Sequence, residues 1–100
     1  MDGGGIMKTK EIEPQLVEAL ELLRSKKNEF DSHDYLNVLY SMNVIQVEDG
    51  DAEADRQTNY AIGGWLFHNQ IKYGYEKIGM SLSKNIHGNL TSVANWKFVR

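Results

Sequence analysis

The chain contains no cysteine and only one proline, and each scarcity removes possibilities. Without cysteine there is no disulfide, no thiolate nucleophile and no zinc site built on sulfur. Such a chain suits a reducing, intracellular setting, cytoplasmic or nucleoid-associated. No apolar run approaches the roughly 18 residues of a membrane span, so no membrane partner is expected. Basic residues are scarce in one half only. Residues 1–55 hold five Lys/Arg against thirteen Asp/Glu, whereas residues 56–100 hold six against Glu76 alone. The overall charge of −3 thus conceals halves of −8 and +5, and the basic half is where an anionic partner would sit.

Recognisable chemistry is missing too. His33, His68 and His87 have no spacing that suggests a metal site. Glu48, Asp49, Asp51 and Glu53 lack the order of a calcium loop with its twelfth-position glutamate. Gly3-Gly4-Gly5 is not followed by the Lys-Ser/Thr of a phosphate loop, and no Ser-His-acid set stands out. No catalytic residue, metal or cofactor is therefore expected, and the chain reads as a binding protein rather than an enzyme.

What is present describes one α+β domain. The apolar fraction of 41% and charged fraction of 25% are those of a globular chain, and one hundred residues suffice for a single core. Residues 1–11 read as a flexible leader and 12–100 as the domain. Met1-Asp2-Gly3-Gly4-Gly5-Ile6-Met7 has neither the basic start nor the apolar stretch of a signal peptide. Pro14 suits a first helical turn, and Leu16, Val17, Leu20 and Leu23 recur at helical spacing, widened by Ala19 and Leu22, to about Lys27. Asp31 or Ser32 caps a second helix with Tyr35, Leu36, Leu39 and Met42 on its apolar face, ending near Asn43.

Val44-Ile45-Gln46-Val47 is β-prone and runs into an acidic loop. A third helix is predicted from about Asp55 to Gln70, with Ala61, Ile62, Trp65 and Leu66 facing the core. Gly63-Gly64 is a defect there, at about 1 kcal/mol per glycine against alanine. Either the helix breaks or something packs close to its backbone. After Gly74 the period becomes two. Ile78, Met80 and Leu82 alternate with Lys77, Gly79 and Ser81 as a half-buried strand. The turn residues of 83–89 follow, then Ala94, Trp96 and Phe98 alternate in a second strand. Trp65 and Trp96 fall on the apolar phase as core anchors; Tyr60, Phe67, Tyr73 and Tyr75 are ambiguous.

Three helices followed by a C-terminal β-hairpin, with the polar start Asp55-Arg56-Gln57-Thr58-Asn59-Tyr60 running into Ala61-Ile62 and Trp65-Leu66, resemble the winged-helix variant of the helix-turn-helix over residues 12–100. Lys72 to Gly79 resembles the exit from a recognition helix into a wing. The connection 43–54 departs from the pattern, being longer and more acidic than a short turn. The resemblance implies a nucleic-acid-binding protein, with double-stranded DNA favoured. Its third helix would lie in the major groove with Arg56, Gln57, Asn59 and Tyr60 near bases and phosphates, beside Lys72. The wing would bring Lys84, Asn85 and His87 to the backbone, and Lys97 would follow. In the bland reading, Arg56, Gln57 and Asn59 are only a solvated helix start. The alternative function is a protein–protein adaptor or inhibitor using the acidic half or exposed aromatics, and a homodimer is possible.

Overall fold

The computed structural model describes residues 9–46 and 52–99, with 52–55 followed by their backbone only. Of the expected leader, residues 1–8 lie outside this range, and Thr9–Ile12 form a 3-10 turn whose Ile12 packs on the core. α1 (Glu13–Arg24) carries its proline in the first turn and buries Leu16, Ala19, Leu20 and Leu23, the stripe read from the sequence. Leu22 stays exposed.

α2 (Ser32–Ser41) begins with reciprocal caps. The Asp31 carboxylate accepts from the Asp34 N–H at 2.8 Å, and the Asp34 carboxylate accepts from the Asp31 N–H at 3.0 Å. The arrangement satisfies two otherwise orphaned donors. Past the end of α2, Asn43 adopts φ 59, a left-handed conformation that asparagine tolerates.

The run Val44–Val47 is not a strand in its described part. Residues 44 and 45 form a bend, and Ile45 is drawn into the core; Val47 lies outside the described residues. The strand that joins the hairpin comes instead from β1 (Glu29–Asp31). Its central Phe30 is buried against Trp96, Phe98, Tyr75 and Tyr35, with ring centroids 5.0–6.5 Å apart.

The third helix is longer at its start than the spacing predicts. α3 (Ala52–His68) runs unbroken through Gly63-Gly64, and a separate turn, α4 (Gln70–Tyr73), takes the chain to Gly74. Gly74 closes α4 with φ 75. β2 (Tyr75–Lys84) and β3 (Leu90–Phe98) then form the hairpin. The sheet is antiparallel throughout, in the order β1-β3-β2.

Among the described residues the architecture is α+β, with four helices and a three-stranded sheet. None of those helices is long and apolar enough to cross a membrane. One buried cluster joins Leu16, Leu20, Tyr35, Leu39, Ile62, Leu66, Tyr75 and Trp96. Two buried phenols tie elements across it: Tyr35 donates to the Leu16 carbonyl and Tyr75 to that of Leu66, each at 2.6 Å. Trp65 and Trp96 are both core anchors.

Candidate functional site

The sequence predicts a half-buried β2, with Ile78, Met80 and Leu82 inward; all three are exposed. Their alternation is real, but the core ends before it reaches them. A bulge at Ile78, between Lys77 and Gly79, also reverses the phase of the strand. Lys77 pairs with Trp96, Met80 with Ala94, Leu82 with Ser92 and Lys84 with Leu90. Cross-strand partners share a face. One face of the hairpin therefore presents Lys77, Met80, Leu82, Lys84 and Leu90 together.

That face and α3 enclose a groove of about 540 Å³, floored by the start of α2 and the inner end of β3. From α3 it receives Arg56, Asn59, Tyr60, Gly63 and Phe67; from the hairpin, Lys77 and Met80. Much of its rim is apolar and accessible: Tyr60 is 71% exposed, and Phe67 and Met80 are each 55% exposed. Leu82 and Leu90, at 70% and 62%, continue the hairpin face. At the floor, the Trp96 indole donates to the Ser32 hydroxyl at 3.1 Å.

Of the nine residues singled out from the sequence, Arg56, Asn59, Tyr60, Asn85 and His87 come together around this groove. Arg56 lies in the second turn of α3, because the helix begins at residue 52 and not near 55. Asn59 turns inward: its side-chain oxygen is buried without a hydrogen-bond partner. Asn85 is largely committed to the hairpin turn. Its side-chain oxygen accepts from the backbone N–H groups of His87 and Asn89 at 2.9 and 3.0 Å, and Gly88 completes the turn at φ 84. Lys84 stands beside the groove on the shared hairpin face, and Gln57 is exposed on α3 without lining it.

Two of the nine lie elsewhere. Lys72 approaches Glu13 at 3.6 Å on the α1 side. Glu13 also accepts from the Tyr73 hydroxyl at 2.9 Å and the Trp65 indole at 3.4 Å. The Tyr73 bond first, then that of Trp65, then the Lys72 charge, hold its carboxyl below the ordinary range. Tyr73 foremost, and then the Glu13 carboxylate, raise Lys72 above the ordinary lysine value. Lys97 sits on the opposite face of β3 from Trp96, with Glu29 and Glu76 as its partners on the flanking strands. Lys72 is thus set beside a carboxylate and Lys97 in register with two glutamates, and neither lines the groove.

Sequence reasoning missed Lys77, Phe67, Met80 and His33 as groove residues. Lys77 was hidden by the bulge, which no periodicity announces. His33 is buried at the start of α2, its Nε2 3.2 Å from the Thr91 hydroxyl. Among the described residues no group of three or more His, Cys, Asp or Glu is placed to hold a metal. Comparison with known proteins finds no matching family model, no matching curated protein and no matching solved structure.

Proposed function

We propose that the chain is a nucleic-acid-binding module of winged-helix type, with α3 and the β2–β3 hairpin as its two contact elements and duplex DNA as the foremost target. The helices precede the hairpin, and the third of the four, α3, faces it across a groove; that order supports the winged-helix reading, with the short α4 as the turn between them. The observation that carries the function is the convergence of cations. Arg56 from α3 and Lys77 from β2 line one groove, and Lys84 continues the hairpin face beside it. In this reading α3 enters the major groove and the sugar–phosphate strand passes between helix and hairpin. Gln57, exposed on α3 outside the groove, and Tyr60, exposed at its rim, would lie towards the bases. Three phosphate contacts give a log–log salt slope of about −2.7, at roughly −0.9 for each contact. A mobility-shift titration with random duplex at two salt concentrations tests this. Affinity that weakens steeply with salt supports the reading; no binding at low salt, or none of that dependence, removes it.

A second reading is favoured by a different observation. Tyr60, Phe67, Met80, Leu82 and Leu90 form accessible apolar surface on the facing sides of helix and hairpin, and such patches mark protein interfaces. A protein partner, a second copy of the chain included, would then occupy the groove, and the chain would act as an adaptor. Leu82→Ser separates the two. It removes apolar contact without changing charge, so it weakens an adaptor while leaving the salt slope on duplex as it was. The other adaptor surface, the acidic stretch 48–55, falls on residues outside the described range or described by backbone only.

A further inference from the structure

We propose that the outer edge of β2 pairs with the same edge of a second copy of the chain, an inference that goes beyond the groove and does not depend on what the groove binds. The sheet runs β1-β3-β2, so β2 is an edge strand, and among the described residues no strand lies beyond it. Backbone groups along such an edge are a template for another strand, and proteins commonly blunt it with bulges, lysines or a covering element. Here the two ends are blunted and the middle is not. At the base, the bulge at Ile78 bends the strand, and the Gln70 side chain accepts from the Lys77 N–H at 2.8 Å. At the tip, Lys84 ends the strand before the turn. Between them Gly79-Met80-Ser81-Leu82-Ser83 carries neither charge nor proline.

The direction of the backbone follows from the turn. Asn85 donates its N–H to the Asn89 carbonyl, so residue 85 turns its backbone toward β3. Successive residues of an antiparallel ladder alternate, and the register is regular from Gly79 to Lys84. Met80, Leu82 and Lys84 therefore turn N–H and C=O toward the outer edge. Of the ten large apolar residues exposed among the described ones, five belong to this hairpin: Ile78, Met80, Leu82, Ile86 and Leu90. Folding of one copy thus leaves apolar surface concentrated where hydrogen-bonding backbone faces outward.

The occupant follows from the symmetry of the open stretch. It runs from residue 79, after the bulge, to residue 85, at the turn, and its midpoint is Leu82. Two copies paired antiparallel about that midpoint use the whole stretch and stop where bulge and turn begin. Leu82 then meets its own counterpart, and Met80 lies opposite Lys84 of the second copy, whose aliphatic stem covers it. No like charges are set opposite each other. Sliding the pair toward the base drives the second copy's turn into the Gln70 cap. Sliding it toward the tip shortens the overlap and brings the two lysines together. In the central register the apolar side chains of both copies share one face of a continuous sheet. An overlap of this length belongs among small, reversible interfaces, so the dimer forms in a concentration-dependent way.

The experiment is sedimentation velocity on the full chain, without nucleic acid, from micromolar to submillimolar concentration. The parent is expected to pass from monomer to dimer as concentration rises. Leu82→Lys and Leu82→Glu each set like charges face to face at the two-fold axis and remove apolar contact. Each is expected to weaken the dimer by about tenfold or more. Leu82 is 70% exposed within one copy, so both variants are expected to melt near the parent's temperature. An equimolar mixture of the two variants is expected to restore the dimer, because lysine then faces glutamate. A parent that stays monomeric throughout overturns the proposal, and so does a dimer that survives either substitution. Two monomeric variants that fail to associate when mixed overturn it as well, since Leu82 then does not meet its own counterpart. A second copy seated in the groove would give that last result.

Discussion

At the scale of single residues, side chains with polar tips do much of the joining in this small core. Tyr35 and Tyr75 reach from the aromatic cluster to carbonyls of α1 and α3, and burial, more than their phenol neighbours, pushes both hydroxyls well above the ordinary value. A phenol whose value rises on folding contributes stability fully below its unfolded value, about 10, and loses it as the pH rises further. The protein is therefore expected to unfold above about pH 10, its tyrosine absorbance changing together with its helical circular dichroism. Independent titration of the buried phenols in a folded chain would contradict this. Tyr35→Phe removes one hydrogen bond and is expected to cost about 1 kcal/mol in urea denaturation. Gly64, like Gly63, has open space where a Cβ would sit. Gly64→Ala is expected to stabilise the fold by up to about 1 kcal/mol, read as a higher urea midpoint with an unchanged slope.

At the scale of elements, Glu13 shows how the ends of the helices are held together. Its carboxylate receives Tyr73, Trp65 and Lys72, so the start of α1 is tied to α3 and α4. A carboxyl lowered on folding stabilises above its unfolded value, about 4.3, and that contribution disappears as the pH falls through the folded value. Glu13→Gln is expected to flatten the acid side of the stability profile. Urea midpoints measured from pH 6 down to about 3 should fall less steeply in the variant than in the parent. The two leading helices were legible because capping and 3.6-residue spacing are local signals: Pro14, Asp31 and the leucines declare them without reference to the rest of the chain. The hairpin was legible from its period of two and its turn residues. β1 was not, since three residues carry no period and its pairing with β3 spans more than sixty positions. The early start of α3 and the bulge at Ile78 were equally hidden. Each shifted a site residue: Arg56 moved into the second turn, and Lys77 moved onto the groove face. Lys72 and Lys97 fall outside the groove for another reason: charge counted along a chain does not say on which face each cation will lie.

At the scale of the whole molecule, the division of charge along the sequence survives only in part. Lys72 approaches Glu13 and Lys97 is in register with Glu29 and Glu76, both away from the groove; Arg56, Lys77 and Lys84 gather around the space between α3 and the hairpin. Proposed nucleic-acid binding depends on those three acting together on one anionic strand. Neutralising them at once, as Arg56→Ala, Lys77→Ala and Lys84→Ala, leaves the buried core untouched, since all three are exposed. The decisive measurement is the salt dependence of duplex affinity in the parent and in this triple variant, alongside a check that both melt at similar temperatures. The expected result is a parent slope near −2.7 that collapses towards zero in the variant, with affinity lost most at low salt. A parent that does not bind duplex, or a variant that binds with the parent's slope, would contradict the convergence of these cations as the basis of function.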